Sequence, residues 1–475
     1  MKKQAFNPYL PSYEYVPDGE PHIVGNRVYV YGSHDKFNGG SFCLGDYVCY
    51  SAPVSDLSDW KYEGVIFRRE QDPMARGPRI LNGMAAPDMI QGNDGRFYLY
   101  YFIGATKQIS VALCDKPAGK YEFYGYVKYP DGIPIGKKGE PYQFDPGLFR
   151  DDDGKLYLYT GFALENNPLL LRGAKPTKKG PMVFELDPED MLTVKSGPAY
   201  IGLNSKEHPF LEASSMRKFE GTYYFIYSSK LSHELCYATS DNPVKGFQFQ
   251  GTLVSNGDIG IGSVMDVHHA KNDTGNTHGS LIKIENKYYV FYHRHSNRKQ
   301  SSRQACAEEI RFENGRFLQA QMTSCGLNGR SLFGQGTYPS YICCNLYGKD
   351  GTRFLSMIKY PKGSSPYLTQ KGRDRESGSD QYIANFCDGS VAGYKFFDTR
   401  ETSRIGVLLA GTAEGTIIVR DRDDDAGMIL STIEICMKKE KKKFYGSFVG
   451  GCEKQALFFS FEGKGAFDFY SFGMK

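Results

Sequence analysis

Hydrophobic and polar positions alternate along this chain in short runs that break at glycine, asparagine and aspartate. The clearest run is Asp18 to Asp35, "DGEPHIVGNRVYVYGSHD". A short apolar strand is followed by a Gly25-Asn26 turn and by an aromatic strand with Val28, Tyr29, Val30 and Tyr31. Related units are "DGRFYLYYFIG" from Asp94, "DGKLYLYTGFA" from Asp153, "EGTYYFIYSSK" from Glu220 and "ENKYYVFYHRH" from Glu285. Turn to turn, the intervals are 70, 59, 67 and 65 residues. A repeat this long holds a four-stranded antiparallel sheet, and the Gly-Asn, Asp-Gly and Glu-Gly pairs suit tight hairpins. Five such sheets predict a five-bladed β-propeller over residues 1–324, the strand before each repeated turn being innermost. "RFENGRFLQAQMTS" (311–324) offers a closing strand.

Residues 325–340 are rich in glycine and serine and read as a linker. From 341 to 475 short strands recur more closely: "RFLSMIKY", "SVAGYKFF", "RIGVLLAG", "GTIIVR", "ILSTIEICM" and "ALFFSFEG". This spacing predicts a β-sandwich, of jelly-roll type, after the propeller.

Composition adds limits. Among 475 residues there are 35 tyrosines and one tryptophan, and no long 3.6-residue periodicity, as expected of an all-β chain. A net charge of +4 gives no case for nucleic acid or an anionic membrane, and "KKEKKK" at 438–443 reads as a solvated strand end or turn. No export signal and no stretch of about 18 apolar residues is present. Eleven cysteines, an odd number, point to free thiols in a cytoplasmic protein, with a secreted or periplasmic location if a signal has been trimmed.

Acidic residues fall at similar places before the turns. Asp18 lies 7 residues before Gly25, Asp145 lies 9 before Gly154, and Glu212 lies 9 before Gly221, while His278 stands 8 before Asn286. Two carboxyl groups facing across a channel suit glycoside hydrolysis, one protonated as acid and one ionised as base. A third nearby raises the pKa of the acid. Arg303 is a candidate for the sugar hydroxyls or for an ion pair; Phe37, Phe42 and Trp60 are candidate apolar walls, and Asp88 a support for the channel mouth or a turn cap. The group Asp266, His268, His269 and His278 fits no zinc spacing.

"PDGEPHIVGNRVYVYGSHD", "AAPDMI", "FDPGLFRDDDGKLYLYTG", "EASSMRKFEGTYYFIYSS" and "THGSLIKIENKYYVFYHR" resemble the successive blade motifs of glycoside hydrolase family 43, in its xylosidase/arabinofuranosidase branch. "YIANFCDGSVAGYKFFD" and the C-terminal strands resemble a carbohydrate-binding module of family 6, without the aromatic that commonly follows its Gly-Asp pair. The resemblance implies an inverting exo-glycosidase that releases xylose or arabinofuranose from xylan-derived oligosaccharides. It implies Glu212 as acid, Asp145 as pKa modulator, and either Asp18 or Glu20 as base. The turn count selects Asp18, and the residue before proline selects Glu20. No cofactor is required; the resemblance leaves room for Ca2+ at His278 in the channel or in the sandwich. The expected partner is an oligosaccharide, with neither nucleic acid nor membrane. The rival readings are a non-catalytic carbohydrate-binding propeller, or a family member acting on arabinan or galactan.

Overall fold

The computed structural model describes residues 3–104, 106–137, 139–163, 175–177, 179–203, 205–231, 233–361, 363, 365–372 and 380–475. Its first part is a ring of antiparallel sheets, each in chain order from the centre outward. Blade I comprises β1 (Glu20–Val24), β2 (Arg27–Tyr31), β3 (Tyr47–Pro53) and β4 (Lys61–Phe67). Blade II comprises β5 (Met84–Gln91), β6 (Phe97–Ile103), β7 (Ile109–Cys114) and β8 (Glu122–Tyr126). Blade III comprises β9 (Gly147–Arg150), β10 (Leu156–Thr160), β11 (Met182–Leu186) and β12 (Val194–Tyr200). Blade IV comprises β13 (Phe210–Phe219), β14 (Thr222–Ser229), β15 (Leu235–Ser240) and β16 (Gln248–Val254). Blade V comprises β17 (Ser280–Ile284), β18 (Lys287–Ser296) and β19 (Lys299–Ile310). The first strands β1, β5, β9, β13 and β17 neighbour one another in that order, and β17 returns to β1. This is the five-bladed β-propeller that the repeat predicts.

Each pair of adjacent blades encloses an apolar core, as the one shared by Tyr98, Leu148 and Phe184 between blades II and III shows. Blade IV turns in two residues, Phe219 facing Thr222, with Glu220 and Gly221 both left-handed, as the Glu-Gly pair requires. The Asp-Gly pairs behave differently. Gln91 faces Phe97 and Arg150 faces Leu156, so Asp94-Gly95 and Asp153-Gly154 sit in five-residue loops.

The ring is closed by the N-terminal segment and not by 311–324. Tyr9 N–H donates to Ala305 O in β19 (3.2 Å), and Ala5, Tyr9, Leu10 and Val16 enter the core between blades V and I. Phe312–Glu313 and Arg316–Phe317 instead form a separate hairpin. Its Phe317 fills the core between blades IV and V.

The C-terminal part is one nine-stranded sheet. Every strand contributes to a single apolar core that includes Leu332, Tyr338, Ile383, Tyr394, Leu409, Ile433 and Phe469, so the sheet is bent over its own inner face. Three long strands dominate it, Arg404–Arg420, Ile429–Ser447 and Gln455–Met474. The bend passes Gly415 and Gly463, each of which lies so close to the facing strand that a Cβ would meet a backbone oxygen. Leu332–Phe333 and Gly336–Pro339, inside the expected linker, are strands of this sheet. "KKEKKK" lies within Ile429–Ser447, facing solvent along its length. "RFLSMIKY" forms no strand, because its backbone is used against the propeller: Thr274 N–H donates to Arg353 O (2.9 Å) and Gln300 N–H to Ser356 O (3.0 Å). All eleven cysteines are free. No helix among the described residues is long and apolar enough to cross a membrane.

Candidate active site

The entrances to four inner strands share an unusual backbone. Asp18, Ala86, Asp145 and Ala213 have φ of 59°, 39°, 48° and 67°, left-handed values that cost energy for residues with a Cβ. In blades II and IV the pairing with the next strand also slips here, between Ala85 and Asp88 and on both sides of Glu212. Such bulges re-aim side chains. In blades I, III and IV the re-aimed positions carry Asp18, Asp145 and Glu212; blade II has Ala86 there and no acid.

The structure brings these three acids together with His278, Glu20 and Arg303. Asp145 Oδ2 accepts Ala213 N–H (3.1 Å) and faces His278 Nδ1 at 3.6 Å, which ties blades III, IV and V to one another. On the other side of the ring, His278 Nε2 faces Glu20 Oε1 at 3.8 Å. Burial opposes charge on His278, but Glu20, Asp145 and Asp18 together push its pKa up to about 9.

Arg303 is fully buried and serves as an ion-pair partner. Its Nη1 donates to Asp18 Oδ1 (2.8 Å), its Nε and Nη2 donate to the two oxygens of Asp35 (2.8 and 3.0 Å), and Phe42 lies 4.7 Å from the guanidinium. His293 is held neutral by burial and by Arg303; its Nε2 donates to Asn276 O (2.9 Å), so that Nδ1 is left to accept from Asp18 N–H (3.4 Å). Asp18 is therefore fixed by a cation on its carboxylate and by a ring on its backbone.

Glu212 is treated differently. Burial raises its pKa, and the carboxylates of Asp145 and Asp18 raise it further, against the pull of His278. Asp145 is raised in the same way, by burial and by Asp18. Glu20 moves in the opposite direction. Despite its burial, Arg217 and His278 hold its carboxyl low; Arg217 Nη2 donates to Glu20 Oε2 (2.7 Å) and Ser215 Oγ adds a second bond (3.1 Å).

These features decide the remaining candidates. Trp60 lies 4.7 Å from Tyr9 and 6.4 Å from Phe291 in the core between blades V and I, so it is packing and not a sugar wall. Asp88 is fully buried; it accepts Leu148 N–H (2.7 Å) and Met89 N–H (2.7 Å) and pairs with His22 (2.6 Å), bracing blades I, II and III. Phe37 packs beside Tyr15 at 5.8 Å, on the loop that leads from Asp35 toward Phe42. Calcium takes oxygen donors, which Asp145 and Glu20 on either side of His278 carry at 3.6 and 3.8 Å from its ring nitrogens. Asp35, His293 and Arg217 escape the sequence reading: Asp35 and His293 have no counterpart in register in the other blades, while Arg217 is matched by Arg150, each four residues before its turn glycine. The signal that was present is their polarity inside hairpin strands or at their ends, in "YGSHD" and "YHRH".

The profile described as Glycosyl hydrolases family 43 matches residues 15–317, which span all five blades. The chain belongs to glycosyl hydrolase family 43. A family 43 relative, the xylosidase/arabinosidase of Thermoclostridium stercorarium, is 43% identical over 99% of this chain and 99% of its own length. The xylosidase/arabinosidase of Bacteroides ovatus is 28% identical over 60% of this chain and 87% of its own. Among solved structures, a family 43 β-xylosidase/α-arabinofuranosidase from a compost metagenome, in complex with xylotriose, is 25% identical. It covers 66% of this chain and 96% of its own with a TM-score of 0.51. An arabinoxylan arabinofuranohydrolase from Bacillus subtilis matches in fold over 99% of this chain and 97% of its own, at 20% identity and a TM-score of 0.51.

Proposed function

We propose that this chain is an inverting exo-glycosidase that removes single xylose or arabinofuranose units from xylan-derived oligosaccharides. The relative that matches it from end to end is a xylosidase/arabinosidase, which supports that substrate class. The observation that carries the mechanism is the opposed treatment of two acids in one cluster. Glu212 is pushed toward its protonated form, while Asp18 lies against a guanidinium. A buried carboxyl raised toward protonation beside a second one paired with a guanidinium supports Glu212 as the acid and Asp18 as the base.

In this reading Glu212 donates its proton to the glycosidic oxygen as the bond to the anomeric carbon breaks. Asp18 takes a proton from the water that attacks that carbon from the opposite face. Asp145 keeps Glu212 protonated through its own charge and, by accepting Ala213 N–H, fixes the backbone next to it. Glu20 is given no proton-transfer role, since Arg217 and Ser215 occupy one oxygen and His278 faces the other. No step passes through a metal. The C-terminal sheet is assigned a bracing role: Asn297 N–H in the loop between β18 and β19 donates to Leu368 O (2.8 Å), and Tyr15 donates to Gln370 (2.6 Å), close to the Asp35–Arg303–Asp18 chain.

Turnover of nitrophenyl xyloside and nitrophenyl arabinofuranoside, followed by proton NMR of the first sugar released, tests the reading. Inversion at the anomeric carbon with at least one of the two is expected. Net retention, or no turnover of either, would overturn it.

A further inference from the structure

Blade IV holds a second group of polar side chains, apart from the carboxylate cluster. His208 lies just before β13, and Glu234 and Cys236 lie at the start of β15. His208 Nδ1 stands 3.6 Å from Glu234 Oε2 and 3.7 Å from Cys236 Sγ, and the three ligand atoms lie within 4.8 Å of one another. Glu234 and Cys236 are buried, and no lysine or arginine among the described residues pairs with Glu234. Burial raises the Glu234 pKa to about 7, and a carboxyl out of water without a cationic partner either takes up a proton or is met by a cation.

The spacing suits a metal better than hydrogen bonds. A nitrogen and an oxygen 3.6 Å apart are too distant to share a proton well. Around a tetrahedral Zn2+, bonds of about 2.3 Å to sulfur and about 2.0–2.2 Å to nitrogen and oxygen place sulfur and nitrogen roughly 3.6 Å apart, and nitrogen and oxygen roughly 3.4 Å apart. The observed separations are close to both. His208 is also pre-oriented, its ring stacked on Phe249 at 4.8 Å and 16°. Thr252 Oγ1 lies 3.4 Å from Glu234 and 3.8 Å from Cys236, where it can bond to either ligand from outside. The His208 side chain is 17% exposed, which opens the group to solvent on one side.

By contrast, Glu20, His22 and Asp88 form a similar trio in which Glu20 Oε2 already accepts from Arg217 and Ser215 and both Asp88 oxygens accept from Met89 and Leu148.

We propose that His208, Glu234 and Cys236 bind one Zn2+, with water as the fourth ligand. Neutral imidazole, carboxylate and thiolate balance the charge of the ion. The Cys236 thiol loses its proton to solvent on binding, and nothing is oxidised or reduced. The ion would pin the segment that carries Phe210 and Glu212 to β15, a structural site four residues from the acid.

The test uses the full chain, stripped with chelator, desalted and titrated with Zn2+ alone by calorimetry. The expected result is one Zn2+ per chain, with proton release seen as a heat that depends on the buffer, and a raised melting temperature. Cys236→Ser and His208→Ala should each weaken binding by more than the roughly 10–100-fold that even an outer partner is worth. Co2+ should give a thiolate charge-transfer band in the unmodified protein and none in Cys236→Ser. Absence of stoichiometric binding, or unchanged affinity in both variants, would overturn the proposal, the latter by placing the metal on other thiols. If Cys236→Ser does not fold, the affinity of His208→Ala decides alone.

Discussion

Two buried acidic regions of this protein are built on opposite plans. Between the propeller and the C-terminal sheet, Asp258 has both oxygens satisfied: Met322 N–H donates to Oδ1 (2.8 Å), and Asn345 Nδ2 and Lys395 Nζ donate to Oδ2 (2.9 and 2.8 Å). At the channel mouth, Asp18, Asp145 and Glu212 share the field of Arg303 and His278, and Asp35 and Glu20 draw on the same cations. The first arrangement leaves no carboxyl oxygen without a donor. In the second, burial and mutual repulsion raise the affinity of Asp145 and Glu212 for protons. Buried acids that are fully matched hold parts together, whereas acids left short of cations are able to exchange protons with a substrate.

The difference is sharpest in what each region should lose on mutation. Glu212→Gln removes the proton donor without altering shape, and kcat should fall by about 10²–10⁴-fold with the melting curve unchanged. The loss should be smaller for a nitrophenyl leaving group, which needs less protonation, than for an alkyl xyloside; equal losses would break the assignment of Glu212 as acid. Asp18→Asn should be comparably severe for both leaving groups, and Glu20→Gln much milder.

Lys395→Ala should show the reverse pattern. It strands Asp258 in the interface, at a cost of about 3–5 kcal/mol in denaturant unfolding, with kcat per folded molecule unaltered. A large activity loss with intact stability would remove the contrast.

Asp145→Asn tests the electrostatic half of the comparison. In the proposed mechanism Glu212 acts while protonated, so the rate declines as pH rises through its pKa. Removing the neighbouring negative charge lowers that pKa and moves the alkaline limb of kcat toward lower pH. A limb that stays in place or moves upward would mean that Asp145 does not set the acid. The smallest effect belongs to Trp60→Phe, which repacks a core and should cost less than about 1.5 kcal/mol while leaving KM unchanged.

The sequence was most informative where structure repeats. The hairpin unit recurs five times, four of them with a glycine in the turn, so each copy supports the others, and the three acids stand out because the repeat supplies a register in which to compare them. Asp35 and His293 have no such register. They are recognisable as members of the site only once β2 and β18 bring them to Arg303 and Asp18. The base ambiguity had the same origin: Asp18 and Glu20 are two residues apart in one strand entrance, and the left-handed turn at Asp18, which separates their directions, has no mark in the amino-acid code. Trp60 misled for a different reason. Aromatic surface serves a sugar ring and a blade core equally well, and only its contacts with Tyr9 and Phe291 distinguish the two. Arg353 to Tyr360 is apolar enough to read as a strand, yet its backbone partners Thr274 and Gln300 belong to the propeller, and hydropathy alone does not reveal them.

The clasp between the N-terminal segment and β19 has a temporal consequence. Tyr9 meets Ala305, almost three hundred residues later, and the Asn7 side chain donates to Ala307 O (3.0 Å). During synthesis the first four blades can each form from neighbouring strands, but the ring cannot shut until β19 has left the ribosome. Until then the apolar residues of the opening segment have no mate, and Asp18 awaits an arginine not yet made. Hydrolytic competence thus arrives late and all at once, when the two ends of the propeller meet.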